Sequence, residues 1–114
     1  MAERSYDVDR VFVQMSGSTE AVVLTADVDG ETLVVERMGI LSAIGSAANS
    51  FALRKYVSGT LAFEWRVALA GNGATTPIKG PWVLIGSSSA IQELRVQRLT
   101  GTGSDQLTAY FSRE

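Results

Sequence analysis

Thr60-Leu61-Ala62-Phe63-Glu64-Trp65-Arg66-Val67-Ala68-Leu69 carries the clearest periodicity in the chain. Leu61, Phe63, Trp65, Val67 and Leu69 alternate with Ala62, Glu64, Arg66 and Ala68, a repeat of two that suits a strand and not a helix. Two aromatics on the apolar side predict a thick apolar layer beneath it, so Trp65 is read as a core residue. Just upstream, Phe51 to Val57 reads as a strand and Ser58-Gly59 as a tight turn, so the two strands are expected to pair antiparallel.

Toward the N-terminus, Arg10 to Met15 places Val11, Val13 and Met15 on one face, and Ala21 to Ala26 is a short apolar run between polar turns. Asp27-Val28-Asp29-Gly30 is a turn signal, because Asp and Gly tolerate left-handed backbone angles, and Thr32 to Glu36 follows it; a second hairpin is expected there. Met38 to Ile44 continues apolar past Gly39, where a bulge or bend is expected to let one long segment serve two edges. Ser42 to Asn49, rich in Ala and Ser with Gly45 in its middle, reads as a loop.

Toward the C-terminus, Ala70 to Pro77 concentrates breakers and is expected to be an exposed loop leading to Gly80-Pro81 and the short run Trp82 to Ile85. Gly101-Thr102-Gly103-Ser104 separates Ile91–Leu99 from Leu107–Phe111 with the spacing of a hairpin. Ser89 and Gln92 resemble a capping box, and Ile91, Leu94, Arg95 and Arg98 can share a helix face; Gln92, Leu94, Val96 and Arg98 form the alternative, partly apolar strand face. Periodicity does not separate the two, and the flanking Gly-rich turns favour the strand.

About eight short strands without a dependable helix describe an all-β, antiparallel two-sheet sandwich of jelly-roll or immunoglobulin-like kind. The 114 residues are expected to form a single domain, 1–114, with 1–8 an N-terminal arm. An open sandwich leaves edge strands that something must cover or pair.

Composition narrows function. With no cysteine and no histidine, disulfides, thiolate metal sites, a cysteine nucleophile, Ser-His-Asp chemistry and most zinc hydrolysis fall away. A net charge of −2 is too balanced to draw a polyanion by its overall field, so nucleic acid is not an expected partner. The start of the chain lacks the apolar core of a signal peptide, and no apolar run reaches a membrane span, so an aqueous compartment is expected.

The motifs that suggest chemistry have plainer readings. Asp7-Val8-Asp9 and Asp27-Val28-Asp29 have the spacing to share a hard cation, but the second lies where a turn wants Asp and Gly, and neither has the further ligands of a calcium loop. Gly71-Asn72-Gly73 and Gly101-Thr102-Gly103 lack the lysine and helix of a phosphate loop and read as turns. Ser87-Ser88-Ser89 offers hydroxyls, yet only Lys55 or Lys79 is left to act as a base. The expectation is no catalytic residue, no metal, no cofactor and no enzyme activity. Arginine outnumbers lysine eight to two, a bias shared by protein contact surfaces and by GC-rich coding. Trp82 and Tyr6 are the aromatics least committed to the core; with Arg10 they are the chosen interface residues.

The order of parts resembles the small jelly-roll structural proteins of tailed bacteriophage particles. It lies in the Asp29-Gly30 turn, in Gly39-Ile40-Leu41-Ser42-Ala43 leading through Ala47-Ala48-Asn49-Ser50 into Phe51-Ala52-Leu53-Arg54, and in the closing Leu107-Thr108-Ala109-Tyr110. The resemblance implies a head decoration or cement protein on the outer capsid surface, made in the host cytoplasm, homotrimeric, and bound to the major capsid protein through its N-terminal segment and one sandwich edge. The alternative is a tail- or fibre-associated carbohydrate- or receptor-binding module, which three or more exposed aromatics on one surface would favour. A small carboxylate enzyme would need two acids about 5–9 Å apart in a cleft.

Overall fold

A computed structural model describes residues 9–42, 49–69, 71, 73–80, 82–100 and 104–114. Among them the chain forms β1 (Asp9–Ser16), β2 (Ala21–Ala26), β3 (Thr32–Leu41), β4 (Asn49–Val57), β5 (Thr60–Leu69), β6 (Thr75–Ile78), β7 (Trp82–Ile85), β8 (Gln92–Thr100) and β9 (Ser104–Arg113), with no helix. One sheet has the order β1-β9-β3, with β6 and β7 both along the far edge of β3; the other has the order β2-β8-β4-β5, and every pairing is antiparallel.

The topology follows from one hairpin. At its tip Ser58 and Gly59 both have positive φ, 52° and 77°, the backbone of a primed two-residue turn whose twist matches the flanking strands. Each strand before that turn pairs with its counterpart after it: β4 with β5, β3 with β6 and β7, β2 with β8, β1 with β9. The resulting long ribbon is rolled so that β8 also meets β4 and β9 also meets β3, which is a jelly roll. The sandwich expected from sequence is present, as is the β4–β5 hairpin.

Four local expectations are corrected. Asp27–Gly30 does not close a hairpin, because β2 and β3 belong to different sheets; nor do β8 and β9 form one. A turn signal reports that the chain reverses, not whether it stays in its sheet or crosses to the facing one. Gly39 is neither bulge nor bend: Met38 to Leu41 pairs regularly on both sides, and the irregularity lies between Val35 and Arg37, near the break between β6 and β7. There β3 changes partner along one edge, from β7 to β6, rather than serving two edges. Thr75–Ile78 is a strand rather than loop, its Pro77 tolerated because β6 is an edge. The ambiguous segment Gln92–Thr100 is a strand, whereas residues 43–48, Asn72 and 101–103, where other loops were expected, lie outside the described residues.

The core lies between the sheets. Ile40, Phe51, Leu53, Leu84, Leu94, Val96 and Leu107 are fully buried there. At one end Arg98 of β8 and Asp105 of β9 form a buried ion pair across the sheets at 2.5 Å, and Arg98 Nη2 also donates to the Met15 carbonyl at 3.2 Å. At another place the β2–β3 and β7–β8 crossings are bolted together. The Gly86 amide donates to the Glu31 carbonyl at 2.6 Å, and a Cβ on Gly86 would stand 2.1 Å from the Val28 carbonyl oxygen, so only glycine fits.

Candidate interaction surfaces

The structure separates the interface residues chosen from sequence. Tyr6 lies outside the described residues. Arg10 is exposed on the outer face of the five-stranded sheet, its guanidinium 4.4 Å over the Phe12 ring. Trp82 lies on β7, half-buried against the core, with its Nε1 donating to the Lys79 carbonyl at 2.9 Å. Arg10 and Trp82 therefore belong to two different surfaces.

The first surface grows from β5. Its register against β4 sets Val67 opposite Phe51 and Trp65 opposite Leu53, so Trp65 and Phe63 point to the core side of their sheet. Val67 is buried, but Phe63 and Trp65 are 47% and 46% exposed. The reading of Trp65 as a core residue is thus corrected. Its side chain points the right way, but the opposite sheet ends in two short strands that do not extend over β5. Trp82 reaches across, meeting Phe63 edge-on with ring centroids 5.4 Å apart. Ala62 is left unpaired by a register shift opposite Lys55 and Tyr56, and beyond it Leu61 is exposed too. Phe63, Trp65 and Trp82 line a hollow of about 530 Å³, with Lys55 and Lys79 beside it.

The second surface covers the outer face of the five-stranded sheet. Phe12 of β1 and Leu41 of β3 point outward and are 50% and 46% exposed. With Tyr110 and Pro77 they wall a groove of about 450 Å³ above Gly39 and Thr108. The groove is open because Gly39, between Thr108 and Pro77 in register, has no side chain to fill it. Arg37 lies 4.4 Å over the Tyr110 ring. Sequence reasoning missed this surface, although a signal was present: Val11-Phe12-Val13 is apolar on both faces, so alternation breaks where an outward side chain ought to be polar.

The outer face of the four-stranded sheet is different, because its charges answer one another. Arg54 and Arg95 are register partners, and Glu20 sits between them, accepting from Arg54 at 2.7 Å, Arg95 at 3.1 Å and the Tyr56 hydroxyl at 3.0 Å. Arg54 also donates to Glu64 at 3.0 Å, Arg66 to Glu64 at 2.7 Å, and Arg95 to Glu93 at 2.7 Å. Burial pushes the Glu20 carboxyl upward, but hydrogen bonds from Arg54, Arg95 and Tyr56 outweigh it and hold its pKa below the ordinary 4.5. Glu64 is lowered as well, first by the Arg66 hydrogen bond and then by that of Arg54.

The motifs weighed for chemistry find structural partners. Asp29 accepts from the Ser88 amide and hydroxyl, both at 2.8 Å, which lowers its pKa and joins the Asp27–Gly30 turn to the Ser87–Ser89 loop. Among the described residues no group of three or more His, Cys, Asp or Glu is placed to hold a metal ion; Asp7 and Val8 lie outside them.

No family model and no curated protein matches this sequence. Among solved structures, the chain is similar to one in the structure of infectious bursal disease virus Gt strain, with a TM-score of 0.46 and 14% identity over 96% of this chain. It spans about a third of that chain, 32% of its length. An alignment of that quality carries no functional weight.

Proposed function

We propose that this chain is a non-enzymatic structural protein of a virus particle. Its finer role is a decoration or cement protein that sits on the outside of a phage head, associates with copies of itself as a trimer and contacts the major capsid protein. The observation that carries the reading is the core-side face of β5, where Phe63 and Trp65 are nearly half exposed on a strand whose outer edge pairs with no other strand among the described residues. Side chains of that kind gain most when another protein covers them, and an unpaired edge gains from the same contact. Self-association repeated on a symmetric lattice lets modest contacts add through avidity. The jelly roll suits this role, and the resemblance to small phage structural proteins supplies the capsid and the trimer; fold alone supplies neither.

The test is rebinding. Particles stripped of this protein are expected to take up the purified chain and to regain resistance to heat or low salt, and Phe63→Ser/Trp65→Ser is expected to abolish uptake. Stripped particles that ignore the folded wild-type chain contradict the reading.

A second reading has an observation of its own. Two exposed aromatics and the half-buried Trp82 surround one hollow with Lys55 and Lys79 beside it, an arrangement that also suits stacking on a sugar ring in a receptor-binding module. Quenching or a blue shift of tryptophan fluorescence on titration with oligosaccharides, lost in Trp65→Ala, would favour it over self-association.

A further inference from the structure

We propose that the groove on the outer face of the five-stranded sheet docks an acidic, extended segment of a partner protein, seating one apolar side chain over Gly39 between carboxylates held by Arg10 and Arg37. This deepens the structural role by naming the chemistry of the partner.

The first support is a census of guanidinium groups. Seven of the eight arginines are described, and Arg54, Arg66, Arg95, Arg98 and Arg113 are each paired with a carboxylate. Arg10 and Arg37 have no carboxylate partner among the described residues; each lies 4.4 Å over an aromatic ring, Phe12 and Tyr110 respectively. A guanidinium steadied over a ring keeps its N–H edges available and loses less freedom when it grips a carboxylate in a bidentate fashion.

The second support is register. Arg10 and Arg37 are both partners of Tyr110, one from β1 and one from β3, so they stand on either side of β9 with Cα atoms about 10 Å apart. Beside that row the groove offers about 450 Å³ of mostly apolar space whose Phe12 and Leu41 walls are half-exposed. Arg37 and Tyr110 on the lining are residue types enriched in interface hot spots, and Arg37 with Arg10 beside it outnumber the single acid there, Glu36.

The chemistry chooses among occupants. The two arginines of this face, on a chain of net charge −2, are too few for a nucleic-acid backbone. Among the described residues of a second copy, Asp9, Glu20, Asp29, Glu31, Glu64, Glu93 and Asp105 are engaged within the fold, and the exposed Asp27 and Glu36 lie in different segments, so none offers two uncommitted carboxylates on one extended stretch. A heterologous acidic segment fits best.

The experiment is an NMR titration of the intact ¹⁵N-labelled chain with a capped peptide Gly-Asp-Asp-Leu-Asp-Asp-Gly. Expected are amide shifts at Phe12, Arg37, Gly39, Thr108 and Tyr110, weakening with added salt, and an affinity about tenfold lower in Arg10→Gln/Arg37→Gln. The fold of that variant, checked by its own amide spectrum, is expected to persist because both side chains are exposed. Gly39→Val, which fills the hollow, provides a second variant expected to lose binding with both arginines present. The proposal is overturned by an absence of shifts, by shifts confined to Phe63 and Trp65, by equal binding of the peptide with Asn in place of Asp, or by binding of oligothymidylate instead. Self-association through β5 is read separately by light scattering, so failure of the groove leaves the β5 surface standing, and the reverse also holds.

Discussion

β5 and β8 belong to the same sheet, yet pattern and burial are inverted between them. β5 has the strongest apolar alternation in the chain and leaves Phe63 and Trp65 nearly half exposed. β8 has a mixed face ending in an arginine, and there Leu94, Val96 and Arg98 are buried, with Arg98 neutralised by Asp105. The difference is position. β8 is flanked by β2 and β4 and lies beneath the opposite sheet, whereas β5 is an edge whose opposite edge is broken into β6 and β7. Alternation reports which way a side chain points; what lies opposite depends on how far the facing sheet extends.

The inversion is broken most forcefully at the buried end. Asp105→Ala leaves the Arg98 guanidinium buried without its ion partner and is expected to cost about 3–5 kcal/mol in urea unfolding. Leu94→Ala on the same strand is expected to cost about 2–5 kcal/mol. Losses under about 1 kcal/mol at both positions would mean that β8 is not the covered strand. Gly86→Ala, which sets a Cβ against the Val28 carbonyl, is expected to cost at least about 2 kcal/mol by loosening the crossings that carry the chain to β3 and β8.

Charge on the outer face gives a smaller, pH-dependent effect. Because the carboxyl groups of Glu20 and Glu64 titrate below their ordinary value in the fold, their contribution is complete above about pH 4.5 and is lost as the pH falls through the lowered values. Glu20→Gln is expected to cost about 1–2 kcal/mol at pH 7 and much less once the pH has fallen below the lowered Glu20 value, seen as melting curves that converge toward acid. The smallest effect belongs to β5 itself. In a dilute, dissociated subunit Trp65→Ser is expected to change stability by less than about 1 kcal/mol, although a buried tryptophan would cost several times that.

The sequence made most of the strands legible because a period of two survives wherever one face is buried, as at Val11, Val13 and Met15 or at Leu94 and Val96. The Ser58-Gly59 hairpin was equally plain, since its left-handed angles demand such residues. The destination of the other turns was hidden: Asp27–Gly30 has hairpin chemistry but crosses between sheets, a choice set by distant pairings of β2 with β8 and β3 with β9. Pro77 disguised β6, because its composition matches a loop while its edge position tolerates the missing donor. Of the two surfaces, Arg10 and Trp82 each marked one. Neither surface followed from them, since Phe63 and Trp65 looked in sequence like residues with a core to fill, and nothing in the alternation set Phe12 beside Tyr110.

The central claim is that the apolar face of β5 is open in one chain and closed by another. Sedimentation or light scattering across a wide concentration range tests it directly, with the wild-type chain beside Phe63→Ser/Trp65→Ser. The wild type is expected to assemble into trimers that dissociate on dilution, and the double variant to remain a folded monomer with an unchanged β-sheet spectrum. A wild-type chain that stays monomeric at every concentration, or a double variant that still assembles, contradicts the account.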